Sequence, residues 1–222
     1  MSAEPPPGPV LLCAGTDAVA AARLAEVTAG LLAERPVVVL ATYERPALGG
    51  IDVVMDALYD AHAELRTAMR RAAAEAAGSA CEMLDARGLD VTRRISSDER
   101  APWRVILDTA DKVDASVIVA GAIDASSAPA GVIGREVRAL AHRSRRPLLV
   151  VPPDAGPAHA DATALFAYDG SAAADHAIHV AAGLLRPRPA LAACTWQSAA
   201  HAVSVARLAI SDEVARTGAA RL

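Results

Sequence analysis

Apolar and polar positions follow two different periods along most of this chain. Short apolar or alternating runs predict strands at 9–15, 35–43, 89–96, 116–121 and 147–153. Between them, apolar residues recur every three or four positions, which predicts helices at 17–34, 54–87, 101–115 and 134–146. Strands that alternate with helices indicate an α/β fold with a doubly wound, five-stranded parallel sheet. In such a sheet we expect ligands to bind beyond the carboxyl ends of the strands.

The beginning of this pattern recurs near the C-terminal end of the chain. Seven positions agree without a gap between residues 29–43, AGLLAERPVVVLATY, and residues 182–196, AGLLRPRPALAACTW. Around the second segment, the pattern predicts strand, helix, strand and helix at 163–171, 172–185, 189–196 and 198–217. The last three strands of the first copy have no counterpart there, so the second copy is incomplete.

Composition and the repeat together divide the chain into four parts. We expect a disordered proline-rich N-terminus (1–8), a complete domain (9–152), a linker (153–162) and a partial second domain of order βαβα (163–222). The strand predicted near 163–168 would have one edge without a partner in its own copy, and an apolar open edge invites pairing with another chain. We therefore expect residues 163–222 to pack on the first domain or to be completed by a partner chain.

Charge and cysteine content limit the classes of function. The chain has 222 residues and a net charge of −4, which gives no reason to expect a nucleic-acid partner. Its N-terminus lacks the basic and apolar regions of a signal peptide, and the uncharged run 189–206 contains too many polar residues for a membrane span. Cys13, Cys81 and Cys194 are odd in number and far apart, which favours buried free thiols and a reducing cytoplasm.

The most specific part of the sequence lies in residues 101–153. The stretch APWRVILDTADKVDASVIVAG is followed there by a loop of small residues, a helix and RRPLLVVPP. This segment resembles the C-terminal half of a universal stress protein domain, and the whole chain resembles a tandem member of that family with a shortened second domain. The resemblance implies the strand order 3-2-1-4-5 of the adenine nucleotide alpha hydrolase-like fold, a cytoplasmic location and a role in regulating the stress response.

The resemblance also implies a nucleotide site in the loop after the fourth strand. Members that bind ATP carry Gly-x2-Gly-x9-Gly-Ser/Thr there, and backbone N–H groups of this loop bind phosphates. This chain keeps the spacing and has Gly121, Asp124, Gly134 and Arg135 at the four positions. A carboxylate about 4 Å from a phosphate oxygen costs roughly 4 kcal/mol at an effective dielectric near 20, or about a thousandfold in affinity. We therefore expect Asp124 to weaken ATP binding, while Arg135 either binds a phosphate or pairs with Asp124.

A second family marker is an aspartate at the end of the first strand, usually before Gly-Ser, that contacts the ribose and adenine side of the nucleotide. In the first copy, aligning the Gly-Thr pair with Gly-Ser puts Ala14 at the acidic position. The repeat register instead puts Thr16 there, with Asp17 one residue late. The second copy has the marker intact, as Asp169, Gly170 and Ser171. It has no glycine loop, so each copy holds only part of a site.

These features predict a non-catalytic regulator of the universal stress protein type that acts through protein contacts or self-association. Its degenerate ATP site would comprise Thr16, Thr42, Gly121, Asp124, Gly131, Gly134 and Arg135. Two alternatives stay open: a functional adenine-nucleotide binder or slow ATPase, with Gly121, Gly131, Gly134 and Arg135 around the phosphates, and a decayed structural duplicate. We expect no cofactor other than weakly bound ATP, and no metal, because His176 and His179 have no third ligand nearby in sequence.

Overall fold

The computed structural model describes residues 8–32, 34–43, 55–96, 100–122, 133–157, 162–197 and 203–208. The chain divides into two compact units. The larger unit holds the described residues of Pro7–Gly30 and Glu34–Pro157, and the smaller unit holds those of Leu31–Ala33 and Ala158–Leu222.

The larger unit is built on a single parallel sheet. Its elements in chain order are β1 (Val10–Ala14), α1 (Ala18–Leu31), β2 (Val37–Thr42), α2 (Met55–Asp85), β3 (Val91–Ser96), α3 (Pro102–Lys112), β4 (Val117–Gly121), α4 (Arg135–Arg143) and β5 (Leu148–Val151). Hydrogen bonds join the strands in the order β3-β2-β1-β4-β5, and every pair is parallel. The predicted α/β class, the five-stranded sheet and the strand order are confirmed.

The three central strands form the core of the sheet. The fully buried side chains on them include Leu11, Leu12, Val39, Ile118 and Val119. A strand that is covered on both faces needs a continuous apolar run, and VLLCA, VVVLAT and VIVAG are such runs. At one edge, β3 exposes Arg93 and Arg94, and charged side chains on an edge strand discourage pairing with another chain.

The helices bury apolar residues at three- and four-residue spacing against the sheet. On α2 the fully buried set is Ala73, Ala76, Ala77, Ala80 and Leu84, and this helix contacts β2 and β3. On α3 and α4, Ile106 and Leu140 belong to one buried cluster with Leu40 of β2 and Ile118 of β4. Within the described ranges of the chain, no helix combines the length and the apolar character needed to cross a membrane.

The amino end of the sheet is closed by a tight approach between two backbone segments. The N–H of Ser116 donates to the carbonyl of Pro9 at 2.9 Å, which brings Gly8 against the turn before β4. Gly8 has φ +107, and a Cβ there would overlap the carbonyl oxygen of Asp114, so this position requires glycine. Arg146 closes the same end, because its Nη1 lies 2.9 Å from the Ala115 carbonyl and 2.8 Å from the Asp114 carboxylate.

The smaller unit contains β6 (Ala164–Tyr168), α5 (Ala172–Leu184), β7 (Ala190–Gln197) and β8 (Val203–Leu208), with the sheet order β6-β7-β8. β6 and β7 are parallel, as the repeat predicts, but β8 runs antiparallel to β7. The helix predicted over 198–217 is therefore wrong at residues 203–208. The stretch VSVARL alternates apolar and polar positions at its start and includes two β-branched residues, which favours a strand. The rest of that predicted helix lies outside the described residues.

The strand β6 has a hydrogen-bonded neighbour on one side only among the strands that the structure describes. Leu165 on β6 is 69% exposed, and its register partner Leu191 on β7 is 38% exposed. Within the described part of the smaller unit, the edge predicted near 163–168 is therefore open. Two exposed leucines lie beside each other on the adjoining sheet face.

Candidate functional site

A cavity of about 550 Å³ opens at the carboxyl ends of the central strands of the larger unit. Ala14, Thr42 and Gly121, the last residues of β1, β2 and β4, all line it. The chain moves outward from β1 through β2 to β3 and then returns to the other side of β1 as β4. This reversal leaves a crevice between the two halves of the sheet, which is where ligands bind in open α/β folds.

The structure brings together part of the predicted site. The predicted residues that line the cavity are Thr16, Thr42, Gly121 and Gly134. Arg135, the first residue of α4, is not among the lining residues; its side chain is 71% exposed and its Nη2 lies 3.5 Å from Glu136 Oε1. Asp124 and Gly131 lie outside the described residues, and so does the predicted pairing of Arg135 with Asp124. The nucleotide-binding role of these residues stays a prediction.

The start of α4 forms one wall of the cavity mouth. Gly134 is the N-cap residue, and its N–H donates to the Ala122 carbonyl at 2.8 Å, so this donor is already used. Glu136, in the first turn of the helix, lines the cavity. A carboxylate at this end of a helix is favoured by the helix dipole, and it occupies the electrostatic position that an anionic ligand would take.

The start of α1 forms a second wall and also carries a carboxylate. Asp17 Oδ1 accepts hydrogen bonds from the N–H groups of Val19 at 2.9 Å and Ala20 at 3.0 Å. The Asp17 carbonyl accepts the first helical bond, from Ala21, so Asp17 is the N-cap of α1. Asp17, which the repeat register places one residue after the acidic position of the family marker, is therefore a helix cap that lines the cavity.

Loops of equal length lead from the first strand to the first helix in both units. β1 and α1 are separated by residues 15–17, and β6 and α5 are separated by residues 169–171. Gly15 therefore stands where the smaller unit has its aspartate. Both predicted registers are wrong at this loop, because the acidic position falls on neither Ala14 nor Thr16 but between them.

One extra residue in α1 explains the error in register. Val10 and Ala164, which begin β1 and β6, are 154 positions apart, whereas Val37 and Ala190, which begin β2 and β7, are 153 apart. Correspondingly, α1 has 14 residues and α5 has 13. The constant offset taken from the repeated segment therefore does not apply to positions that precede α1.

The intact marker of the second copy belongs to the smaller unit and is not among the residues that line this cavity. Asp169 Oδ1 accepts from the Ser171 N–H at 2.9 Å, and Ser171 Oγ accepts from the Ala174 N–H at 3.1 Å, which caps α5. Hydrogen bonds from the Ser171 hydroxyl and backbone lower the pKa of Asp169. Gly170 has φ +80, a conformation that suits glycine. The described geometry of these three residues is that of a helix start.

The walls of the cavity are mainly apolar. The larger apolar residues are Met69, which is half-buried, and four residues that expose at most 6% of their surface: Leu24, Ile106, Val137 and Leu140. Small residues such as Ala14 and Ala122 leave the space open. Asp17 and Glu136 are the charged members of the described lining, which contains no Lys, Arg or His, but the neighbouring Arg135 forms an ion pair with Glu136. The Cys13 thiol also lines the cavity, and burial raises its pKa to about 12, so it is protonated at neutral pH.

Sequence reasoning missed the two carboxylates as a feature of the site. Glu136 could have been noticed, because it follows the last loop glycine by two residues at the predicted start of a helix. The capping role of Asp17 depends on where α1 begins, which the pattern does not fix. As for metals, no group of three His, Cys, Asp or Glu side chains gathers within the part of the chain that the structure describes. His179 Nδ1 lies 2.8 Å from the Asp175 carbonyl of its own helix.

The comparisons with known proteins concern the larger unit above all. The model of the universal stress protein family matches residues 10–152. Among solved structures, a universal stress protein from Archaeoglobus fulgidus in complex with dAMP is 19% identical, with 68% of this chain and 99% of that chain covered and a TM-score of 0.41. The universal stress protein UspA from Lactobacillus plantarum is 17% identical, with coverages of 65% and 99% and a TM-score of 0.49. A search of curated protein sequences finds no match.

Proposed function

The chain belongs to the universal stress protein family, and from that premise we propose that it is a non-catalytic, cytoplasmic stress-response regulator with a degenerate nucleotide site. It would act through protein contacts. The observation that carries this proposal is the charge of the cavity: the two helix starts that line it, α1 and α4, each present a carboxylate, Asp17 and Glu136.

Asp17 opposes a polyphosphate by simple electrostatics, whereas the charge of Glu136 is partly offset by the Arg135 guanidinium 3.5 Å away. A phosphate oxygen about 6 Å from one carboxylate is repelled by about 3 kcal/mol at an effective dielectric near 20, or roughly a hundredfold in affinity. The open mouth lets water and ions screen part of this energy. In addition, Asp17 already occupies the N–H groups of Val19 and Ala20, which are the donors that a helix start offers to phosphate.

The cavity also lacks an activated group for chemistry in its described lining. Its one thiol, Cys13, is held protonated by burial, and a protonated thiol is a poor nucleophile. Neither carboxylate is paired with a histidine or lysine among the lining residues. These features support a binding role without catalysis.

Protein contacts are supported by the smaller unit. Among the described strands, the edge of β6 away from β7 has no hydrogen-bonded neighbour, and Leu165 and Leu191 expose apolar surface beside it. An edge and an apolar face of this kind can accept a strand or helix of a partner. We propose self-association through this edge and face of the smaller unit.

Titration calorimetry with Mg-ATP tests the nucleotide part of the proposal. We expect a Kd above about 10 µM, and a lower Kd would favour the alternative of a functional nucleotide site. The glycines and threonines at the cavity mouth are the observation that supports this alternative. The double variant Asp17→Asn, Glu136→Gln should bind ATP at least about tenfold more tightly than the wild type. Asp154→Asn combined with Glu82→Gln, which neutralises two exposed acids outside the cavity lining, is the matched control for net charge.

A further inference from the structure

We propose that the amino-terminal half of α2 pairs antiparallel with the same segment of a second copy of this chain. The segment, called here the α2 overhang, comprises residues 55–72, which precede Ala73, the first buried residue in the described part of this helix. This inference goes beyond the proposed self-association, because the overhang belongs to the larger unit and is a different surface from the β6 edge.

The helix α2 is much longer than the sheet that it covers. Its 31 residues span about 46 Å, whereas the six residues of β2 span about 20 Å. The buried residues of α2 lie between Ala73 and Leu84, over about 17 Å of helix, and α2 contacts β2 and β3. Residues 63–68 make more than one full turn and are all exposed, so no face of the helix is packed there. The sheet therefore leaves this part of the overhang uncovered.

The overhang nevertheless carries an apolar stripe. Alternating steps of three and four residues lead through positions 55, 58, 62, 65, 69 and 72, which hold Met, Leu, His, Leu, Met and Ala. This spacing places the residues along one side of a helix and is the pattern of helices that pair with another helix. Leu65 lies near the middle of the stripe and is 47% exposed, and Met69 is half-buried. A second helix on this stripe would bury apolar surface that the chain leaves in water.

The charges of the overhang are separated by sign along its length. The acidic residues precede Leu65 and the basic residues follow it: Asp56, Asp60 and Glu64, then Arg66, Arg70 and Arg71. Like charges lie four residues apart at 60 and 64 and at 66 and 70, which destabilises an isolated helix. Arg71 forms an ion pair with Glu75 of its own helix at 2.8 Å, so complementarity with a partner rests on Arg66 and Arg70.

This separation of charge indicates both the partner and its orientation. In a parallel pair of overhangs, each acidic half would lie beside the other acidic half. In an antiparallel pair, each acidic half lies beside the basic half of the other helix, so the segment is complementary to itself. The apolar stripe fits the same arrangement, because position 62 then faces position 65 of the other copy, 58 faces 69 and 55 faces 72. A second copy of this chain therefore satisfies both patterns through a two-fold contact.

Two glutamate variants test the contact in the full chain. They are made together with Leu165→Lys, which weakens the proposed association through β6. We expect the Leu165→Lys chain to dimerise with a micromolar Kd in sedimentation equilibrium, because the paired surface is small. Leu65→Glu should raise this Kd by about tenfold or more, whereas Thr67→Glu, which adds the same charge on the opposite side of the exposed turn, should change it by less than about threefold. Equal effects, or a Leu165→Lys chain that is monomeric at about 100 µM, would overturn the proposal.

Reversal of charges tests the complementarity of the two halves. Arg66→Glu with Arg70→Glu removes two of the three arginines of the overhang and should raise the Kd by about tenfold or more. The further changes Asp60→Lys and Glu64→Lys exchange the two signs and should restore the Kd to within about threefold of the parent chain. Circular dichroism verifies that each variant is folded. A folded protein in which the second pair of changes does not restore association would contradict the charge pattern.

Distances between spin labels test the orientation. Thr67→Cys and Glu75→Cys are labelled separately, in a chain whose native cysteines are replaced by alanine. In the antiparallel pair, the two labels at 75 lie about 24 Å further apart along the helix axis than the two labels at 67, at 1.5 Å per residue. A parallel pair gives the same separation at both positions, and that result would refute the proposal.

The outcomes for the α2 contact and for the proposed β6 contact are separable. If Leu65→Glu leaves the association of the otherwise unchanged chain as it was while Leu165→Lys weakens it, the α2 contact is refuted and the β6 contact stands. If Leu165→Lys has no effect while Leu65→Glu weakens association, the β6 contact is refuted and the α2 contact stands.

Discussion

Replacing Asp17 separates the two roles that the structure gives to its carboxylate. As the N-cap of α1, it accepts two backbone N–H groups at 2.9 and 3.0 Å, and as a charge it lines the cavity. Asparagine keeps the capping oxygen and removes the charge, whereas alanine removes both. The pair Asp17→Asn and Asp17→Ala therefore distinguishes a structural role from an electrostatic one.

The expected magnitudes follow from capping energetics. Losing an N-cap side chain to alanine costs about 1 kcal/mol of unfolding free energy, and losing the favourable interaction of the charge with the helix dipole costs about 0.5 kcal/mol. In a domain of this size, 1 kcal/mol lowers Tm by about 2–4 °C. We expect Asp17→Ala to lower Tm by a few degrees and Asp17→Asn to lower it by about a third of that. Both should raise ATP affinity by about tenfold or more, and Asp17→Ala should raise it further, because alanine also frees the N–H groups of Val19 and Ala20 for phosphate.

Thermal unfolding followed by circular dichroism and titration calorimetry with Mg-ATP measure the two effects on the same samples. Asp154→Asn controls for the change in net charge, since this acid is exposed and lies outside the cavity lining. An Asp17→Ala protein as stable as the wild type would show that the cap contributes nothing. An ATP affinity that neither variant raises would show that the carboxylate is not the barrier to phosphate binding.

The remaining predictions concern the amino end of the sheet and the smaller unit. Gly8→Ala should lower the unfolding free energy by about 2 kcal/mol or more in urea denaturation, because its φ and the Asp114 carbonyl both exclude a Cβ; Gly156→Ala, with open space around it, should have little effect, and equal effects would contradict the argument. Light scattering at increasing concentration should show self-association that Leu165→Lys weakens and Val19→Lys, at another exposed apolar position, does not. A chain that stays monomeric at about 100 µM would refute self-association with affinity in that range.

The sheet could be predicted from the sequence because its strands are buried on both faces. A continuous apolar run such as VVVLAT that lies between predicted helices fits few structures other than a buried strand. All five strands of the larger unit lie where the pattern puts them. The strand at residues 203–208 was harder to predict, because a short alternating segment lies there within an alanine-rich stretch. Both the strand period and the helix period match this segment. The strand forms where β7 offers a pairing partner, which is tertiary information.

The site could be predicted in outline but not in its chemistry. The carboxyl ends of β1 and β4 had to lie together, so the positions of Gly121 and Gly134 at one cavity follow from topology. The role of the Asp17 side chain depends instead on the residue at which α1 begins. A single additional residue in that helix moves the acidic position of the loop to Gly15 and leaves Asp17 as the cap.

The shape of the cavity is weaker support for a nucleotide than its charge is against one. Any doubly wound sheet with small residues where its central strands end leaves an opening at the switch point, and Ala14, Gly121 and Ala122 are such residues here. The shape of the cavity therefore follows from the fold, whereas the sign of its charge bears on which ligands can bind. Carboxylates at the starts of α1 and α4 are stabilised by the helix dipoles whether or not a ligand is bound. We therefore expect the groups that stabilise these helices to weaken phosphate binding at the cavity.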